Sequence, residues 1–359
     1  MYSESGQDWH HFERIIQLLT SRGERISYLT SDIDDPGLKL VEDNYRAFCV
    51  GSGLVRTTCF QFLEAGVMLM TMVDFNNLQL KRSIHPVRYA FMFHSLISVH
   101  MADHEDSYDH YDAVLCAGPH QMRELRKREH MLGHAPKQIF EHGYQRLEDL
   151  LDARRPPPVW QSDRDIHVLL APSWGDETIL NVCGEELVTQ LINAGFRVTL
   201  RPHYQTRWNT PEVIDHITDK FGRHPQFSLM EHMAESDSLY DSHLMITDWS
   251  GAGMDYGMGL EKPVLYIDVP PKARNDWWPQ LEMEPFEMYV RDKIGAVVSP
   301  ESLVTVPQMI RTMLAEPDAF RRRVKELRNE WVFNFGDSVA AAADAVQLLA
   351  READQGRAD

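Results

Sequence analysis

Short apolar runs alternate with amphipathic stretches along almost the whole chain, and this alternation constrains the fold more than any other feature. The runs in the first half are Ile26–Thr30, Phe48–Val50, Val67–Met72, Ala90–Phe93, Ala113–Ala117 and Gln138–Glu141. Those in the second half are His167–Ala171, Phe196–Leu200, Phe227–Met230, Leu244–Thr247 and Val264–Ile267. Helical patterns such as Trp9–Leu19, His120–Glu129 and Gly184–Asn193 separate them. A run apolar on both faces suits a strand covered by helices on each side, and parallel strands need a crossover helix between them. The pattern therefore predicts an α/β fold of doubly wound parallel sheets.

A chain of 359 residues is too long for one ordinary core. The alternation breaks at Asp152–Asp165, DARRPPPVWQSDRD, where three prolines at 156–158 favour an extended connector. The expected organisation is an N-terminal Rossmann-like domain over 1–153, a linker over 154–165, a C-terminal Rossmann-like domain over 166–335 and a C-terminal helix over 336–359. Asp337-Ser338 is placed to cap the Ala-rich helix Val339–Arg351. Ligands of such sheets sit beyond the carboxyl ends of the strands, so two facing domains with a cleft between them are expected.

The net charge of -18 argues against nucleic acid as a partner, since phosphate backbones are bound by clustered Lys and Arg. The opening residues, MYSESGQDWHHFERII, lack the basic start and apolar run of a signal peptide, and no apolar stretch approaches the length of a transmembrane span. Cys49, Cys59, Cys116 and Cys183 show no zinc or redox spacing and have mostly apolar neighbours, so buried free thiols in a reducing, cytoplasmic setting are expected.

Four segments carry candidate chemistry. In Leu244–Asp268 a strand ends at Thr247-Asp248, and the small-residue turn Ser250-Gly251-Ala252-Gly253 opens a helix. Small residues admit a phosphate to the backbone, and a helix N-terminus offers unpaired N–H groups; Asp255, one turn on, is placed for ribose hydroxyls. Arg201 and His203 follow the strand Phe196–Leu200 and suit the charge of a leaving diphosphate. His94 follows a first-domain strand and suits a general base, because imidazole titrates near neutrality. The stretch His100–Asp112, HMADHEDSYDHYD, lacks the residue order of known metal motifs and reads as a solvated acidic helix face, so no metal is expected. Trp9-His10-His11 reads as helix surface. Trp277-Trp278, in a proline-flanked loop, are placed to cover a donor or grip an acceptor, though loop aromatics also serve packing alone.

The order of these segments resembles the CDP-glycerol:poly(glycerophosphate) glycerophosphotransferase family, the teichoic-acid-type polymerases and primases with the GT-B fold. The resemblance rests on Phe93-His94, Gly143-Tyr144-Gln145-Arg146-Leu147, Leu170-Ala171-Pro172-Ser173-Trp174, Arg201-Pro202-His203-Tyr204, Leu239-Tyr240, Thr247-Asp248-Trp249-Ser250, Asp255-Tyr256 and Lys262-Pro263. It spans roughly residues 90 to 345, and it implies that 1–153 is the acceptor domain and 166–335 the nucleotide-donor domain. It implies His94 as base, His203 as a contact to donor phosphates, and Arg201, Ser173, Thr247, Ser250, Gly251 and Asp255 around the donor. The family's Thr-Asp-Tyr-Ser-Ser turn is Thr247-Asp248-Trp249-Ser250-Gly251 here.

The implied activity is transfer of glycerol phosphate, or a related polyol phosphate, from a CDP-linked donor to a glycan or lipid-linked hydroxyl acceptor, with no metal or other cofactor. The implied location is the cytoplasm, with peripheral contact at the inner face of the cell membrane. A glycosyltransferase using a CMP- or UDP-sugar, or a non-catalytic nucleotide-binding protein, would be built on the same frame.

Overall fold

The computed structural model describes residues 1–76, 80–155, 159–230 and 237–358. The three prolines at 156–158 lie outside the described residues. Among the described residues there are thirteen strands: β1 Tyr2–Ser3, β2 Ile26–Thr30, β3 Tyr45–Cys49, β4 Val67–Met70, β5 Arg88–Met92, β6 Ala113–Cys116, β7 Gln138–Glu141, β8 His167–Leu170, β9 Arg197–Leu200, β10 Phe227–Leu229, β11 Leu244–Thr247, β12 Val264–Ile267 and β13 Gly295–Val298. They form two parallel sheets, ordered β3-β2-β1-β4-β5-β6-β7 and β10-β9-β8-β11-β12-β13. In each sheet the winding reverses once, between β1 and β4 and between β8 and β11. The doubly wound fold class expected from the alternation is the one observed. In such sheets the reversal opens a crevice at the strands' carboxyl ends, where ligands bind.

Two compact units make up the chain: Met1–Arg146 with Ala273–Met283 and Asn329–Asp359, and Leu147–Lys272 with Glu284–Arg328. These differ from the expected ranges in three places. The first unit stops before the helix Gln145–Ala153 is complete, because that helix packs on the second unit: Gly259 lies so close to Leu150 that a side chain on the glycine would meet it at 2.9 Å. A short excursion, Ala273–Met283, joins the first unit, and so does the chain from Asn329 onward.

The last of these has a clear physical cause. The helix Ser338–Ala358 buries Ala342, Ala343, Ala345, Val346 and Leu349 in the first unit's core. There they meet Phe12, Ile16 and Leu19 of the helix Trp9–Ser21, whose buried positions recur at helical spacing. Small alanines let the two helices approach closely. Trp9, expected on a helix surface, is buried and packs edge-on against Tyr28 with ring centroids 5.2 Å apart. The second unit's core is built from strands β8, β9, β11 and β12 with Leu187, Leu191, Ile217, Val306 and Ile310 from covering helices. The four thiols are free, but only Cys116 is buried; Cys49 is exposed on the edge strand β3.

Leu349→Ala removes a side chain with no solvent exposure, and is expected to lower stability by about 2–5 kcal/mol in chemical denaturation. Leu348→Ala, 44% exposed, is expected to change it by no more than about 0.5 kcal/mol.

Candidate functional site

In the second unit the reversal point is held by a buried aspartate. Asp248 follows β11 directly, and its two carboxylate oxygens accept the backbone N–H of Ser173 at 2.7 Å and of Ile179 at 3.1 Å. Thr247 donates its hydroxyl to the Ala171 carbonyl at 2.6 Å. These bonds tie the loop after β8 to the end of β11. Thr247 and Ser173 were expected to face the donor. Thr247 instead has its hydroxyl committed inside the unit, and the Ser173 N–H is spent on Asp248.

Beyond this tie, Ser250 caps a helical run of Gly251–Met254 continued by a π-helical turn, Asp255–Gly259. The Ser250 hydroxyl oxygen accepts the Ala252 N–H at 3.3 Å and keeps its own O–H to donate. Ser250, Gly251 and Asp255 are half-buried at this strand-end edge. Gly253 has a different role from the phosphate approach expected of the small-residue turn. A Cβ there would meet Tyr266 Oη at 2.8 Å and Thr247 Cγ2 at 2.9 Å, so the glycine lets the helix lie against β11 and β12. Trp249 turns inward, donating its indole N–H to the Val269 carbonyl at 2.8 Å, with the Arg291 guanidinium 4.1 Å from its ring centroid.

His203 sits three residues after β9 and caps the helix Tyr204–Asn209. Its Nδ1 accepts the Gln205 N–H at 3.1 Å. That bond requires an unprotonated Nδ1, so the neutral ring carries its proton on Nε2. Burial, then Lys272 and Arg201, pull the imidazole down to about 4. His203 is thus a neutral ring with a fixed N–H donor, suited to hydrogen-bond an anion rather than to carry a proton back and forth at pH 7. Trp174 and Lys272 stand beside it: the imidazole stacks on Trp174 at 6.1 Å between centroids, and the Lys272 ammonium lies 3.9 Å from the same ring. Sequence reasoning assigned no role to Trp174, Lys272 or Asp248. Each lies just after a strand's carboxyl end, which was the available signal.

In the first unit, His94 lies just past β5, half-buried, with Nδ1 fully shielded and without a hydrogen-bond partner among the described residues. Burial lowers its pKa, opposed by the nearby Asp103 carboxylate. His11 is 5.2 Å away between ring centroids and is held neutral by burial and by His10, His94, Arg146 and His142. Trp277 and Trp278 are half-buried in the Ala273–Met283 excursion. That segment is pinned to the first unit: Asn275 Nδ2 donates to the carbonyls of His100 at 2.9 Å and Asp103 at 2.7 Å, and the Arg274 N–H to that of Met101 at 3.0 Å.

The stretch His100–Asp112 is a run of turns, not the solvated helix face expected. Three of its carboxylates have side-chain partners, Asp103 with Tyr108, Asp109 with Arg128 and Asp112 with Arg82, while Glu105 and Asp106 stay exposed. Among the described residues no group of three or more His, Cys, Asp or Glu is arranged to hold a metal ion, and no helix is long and apolar enough to cross a membrane.

No protein-family model matches the chain, and no curated protein sequence does. Solved structures do match in fold. The wall teichoic acid polymerase TagF aligns with a TM-score of 0.55 at 16% identity, over 96% of this chain and 86% of that one. A putative UDP-N-acetylglucosamine 2-epimerase from Listeria monocytogenes aligns at 0.58 and 13%, over 95% and 92%. A glycosyltransferase from Rickettsia africae aligns at 0.56 and 10%, over 97% of each chain. The likeness establishes the GT-B fold class.

The state of His203 has a direct test. Its ring resonances in an NMR titration of the unliganded chain are expected to stay at their neutral positions from about pH 8 to pH 5.5 and to move only toward about pH 4. The unfolded chain takes this proton first, near 6.5, so the group's share of stability falls as pH drops through that window.

Proposed function

We propose that the chain is a GT-B transferase that moves glycerol phosphate, or a related polyol phosphate, from a CDP-linked donor to a hydroxyl acceptor in cell-surface polymer or glycan synthesis. The observation that carries the reading is the donor set at the second unit's reversal point: the Ser250-capped helical run, the fixed Nε2–H of His203 and the Arg201 guanidinium. Hydrogen-bond donors fixed before the substrate arrives favour an anion and the charge that develops on a leaving phosphate. Asp255, one turn into the helical run, is assigned to the ribose hydroxyls. Fold likeness to TagF supports the choice among anionic donors.

In this reading the base is His94, kept neutral at pH 7 by burial. It takes the proton of the acceptor hydroxyl as the oxygen attacks the β-phosphorus of the donor. The bond from that phosphorus to the bridging oxygen breaks, and CMP leaves with its charge met by His203, Arg201 and the Ser250-Gly251 turn. Trp277 and Trp278, on the same unit as His94, are assigned to the acceptor, which is a glycan or lipid-linked alcohol reached at the inner face of a membrane. No metal takes part, so turnover is expected to survive chelation.

A nucleotide-sugar glycosyltransferase is the second reading, favoured by the likeness to the Rickettsia enzyme over nearly the full length of both chains. A nucleotide-binding protein without catalysis is a third, and would bind CDP with no turnover on any donor.

Paired substitutions test the assignment. His94→Ala is expected to lower turnover about 10²–10⁴-fold and to leave CDP affinity within about twofold, since the donor set lies on the other unit. His203→Asn keeps an N-cap acceptor but withdraws the Nε2–H, and is expected to weaken CDP binding about 10–100-fold, as for a lost hydrogen bond to a charged group. Near-normal turnover in His94→Ala would remove the base; unchanged affinity in His203→Asn would remove the phosphate contact.

A further inference from the structure

Three strand-end loops of the second unit meet around one indole ring. Trp174 follows β8, His203 follows β9 and Lys272 follows β12. The Lys272 ammonium lies over the ring at 3.9 Å, and the His203 imidazole stacks on it with planes 29° apart. Trp174 thus holds a cation and a fixed N–H donor on one support. Lys272 and then Arg201 act on His203, both as positive charges. Like charges gathered at a ligand-binding edge repel one another, and an incoming anion relieves that repulsion.

The chemistry of the cluster matches one feature of the donor that the Ser250 turn and His203 do not account for. A nucleoside diphosphate presents two adjacent charged phosphates. The capped helical run and a neutral imidazole donor suit one of them. A flexible ammonium with three N–H groups suits the other as a point charge, free of the planar geometry that a guanidinium demands. A tryptophan face is the strongest aromatic support for such an ammonium, and it limits where the long lysine side chain can go before the ligand arrives.

We propose that Lys272 is a direct ligand of the second phosphate of the donor's diphosphate, and that Trp174 is the positioning residue that presents Lys272 and the His203 Nε2–H together. This rests on the reading of the second unit as a nucleotide-donor site. The pair then sets selectivity for nucleoside diphosphates over monophosphates, so that the product CMP is released more readily than the donor.

The test is calorimetric titration of CDP and of CMP into the full-length wild type, Lys272→Gln, Lys272→Arg, Trp174→Leu and Trp174→Phe, with thermal melts to confirm folding. Lys272→Gln is expected to weaken CDP about 10–100-fold, the loss of one charge-assisted contact, and CMP by less than about threefold. Lys272→Arg keeps the charge and should retain most of the CDP preference. Trp174→Leu, which releases both Lys272 and the His203 Nε2–H, should weaken both nucleotides but CDP the more, while Trp174→Phe, which keeps an aromatic face, should stay nearer the wild type. An unchanged CDP-to-CMP ratio in Lys272→Gln overturns the phosphate role of Lys272. Equal weakening of both nucleotides in a folded Trp174→Leu overturns the positioning role. A wild type that binds neither CDP nor CMP, nor UDP and UMP in the same titrations, overturns the donor reading itself and this assignment with it, which separates the two failures.

Discussion

The buried carboxylate of Asp248 is the interaction on which the second unit's strand-end edge depends. Strand β11 delivers it to the reversal point of the sheet, and it takes one backbone N–H on each oxygen, from Ser173 and from Ile179. A buried carboxylate is costly unless paired or fully hydrogen-bonded, and here the bonds come from the facing loop rather than from a cation. The Thr247 hydroxyl adds a third tie to that loop. With the two strand ends locked, Ser250 is set at the start of its helical run, Gly253 lets that run lie on the sheet, and Trp174 emerges beside His203 and Lys272. The Ser250 cap, His203 and Lys272 are thus positioned by ties one layer beneath them.

The alternation of apolar runs exposed most of the fold because fully buried parallel strands leave a strong signature. Leu244–Thr247 and Val264–Ile267 are buried at every residue and were legible to the residue. Two strands had no counterpart among the expected runs. Tyr2–Ser3 is too short to form an apolar run, and Gly295–Val298 starts on a glycine with only one buried residue. The excursion Ala273–Met283 was equally hidden, since its attachment rests on side-chain bonds from Asn275 to backbone carbonyls of residues far away in sequence. The final helix was visible, but its partner was not: nothing in an Ala-rich stretch says which core it enters.

The candidate site divides in the same way. The positions of His203, Arg201 and Ser250 followed from their places after strands. The tautomer of His203 did not, because it depends on the Gln205 N–H that the ring happens to cap. Several residues of the family-like pattern are interior ties. Tyr256 Oη meets Ser242 Oγ at 2.9 Å, and the Lys262 ammonium donates to the Ser242 carbonyl at 2.7 Å. Thr247 and Asp248 bind the loops. A motif rich in such ties identifies a fold more firmly than it identifies a donor, and the choice between phosphate transfer and sugar transfer rests on the chemistry at the exposed edge.

Product analysis by phosphorus-31 NMR tests the central claim most directly. The full-length chain is incubated with CDP-glycerol and, in parallel, with UDP- and CMP-sugars, each with a polyol or glycan alcohol as acceptor. The account predicts that CDP-glycerol is consumed with release of CMP and growth of a new phosphodiester resonance. Consumption of a nucleotide sugar with no new phosphodiester, while CDP-glycerol stays intact, would contradict it.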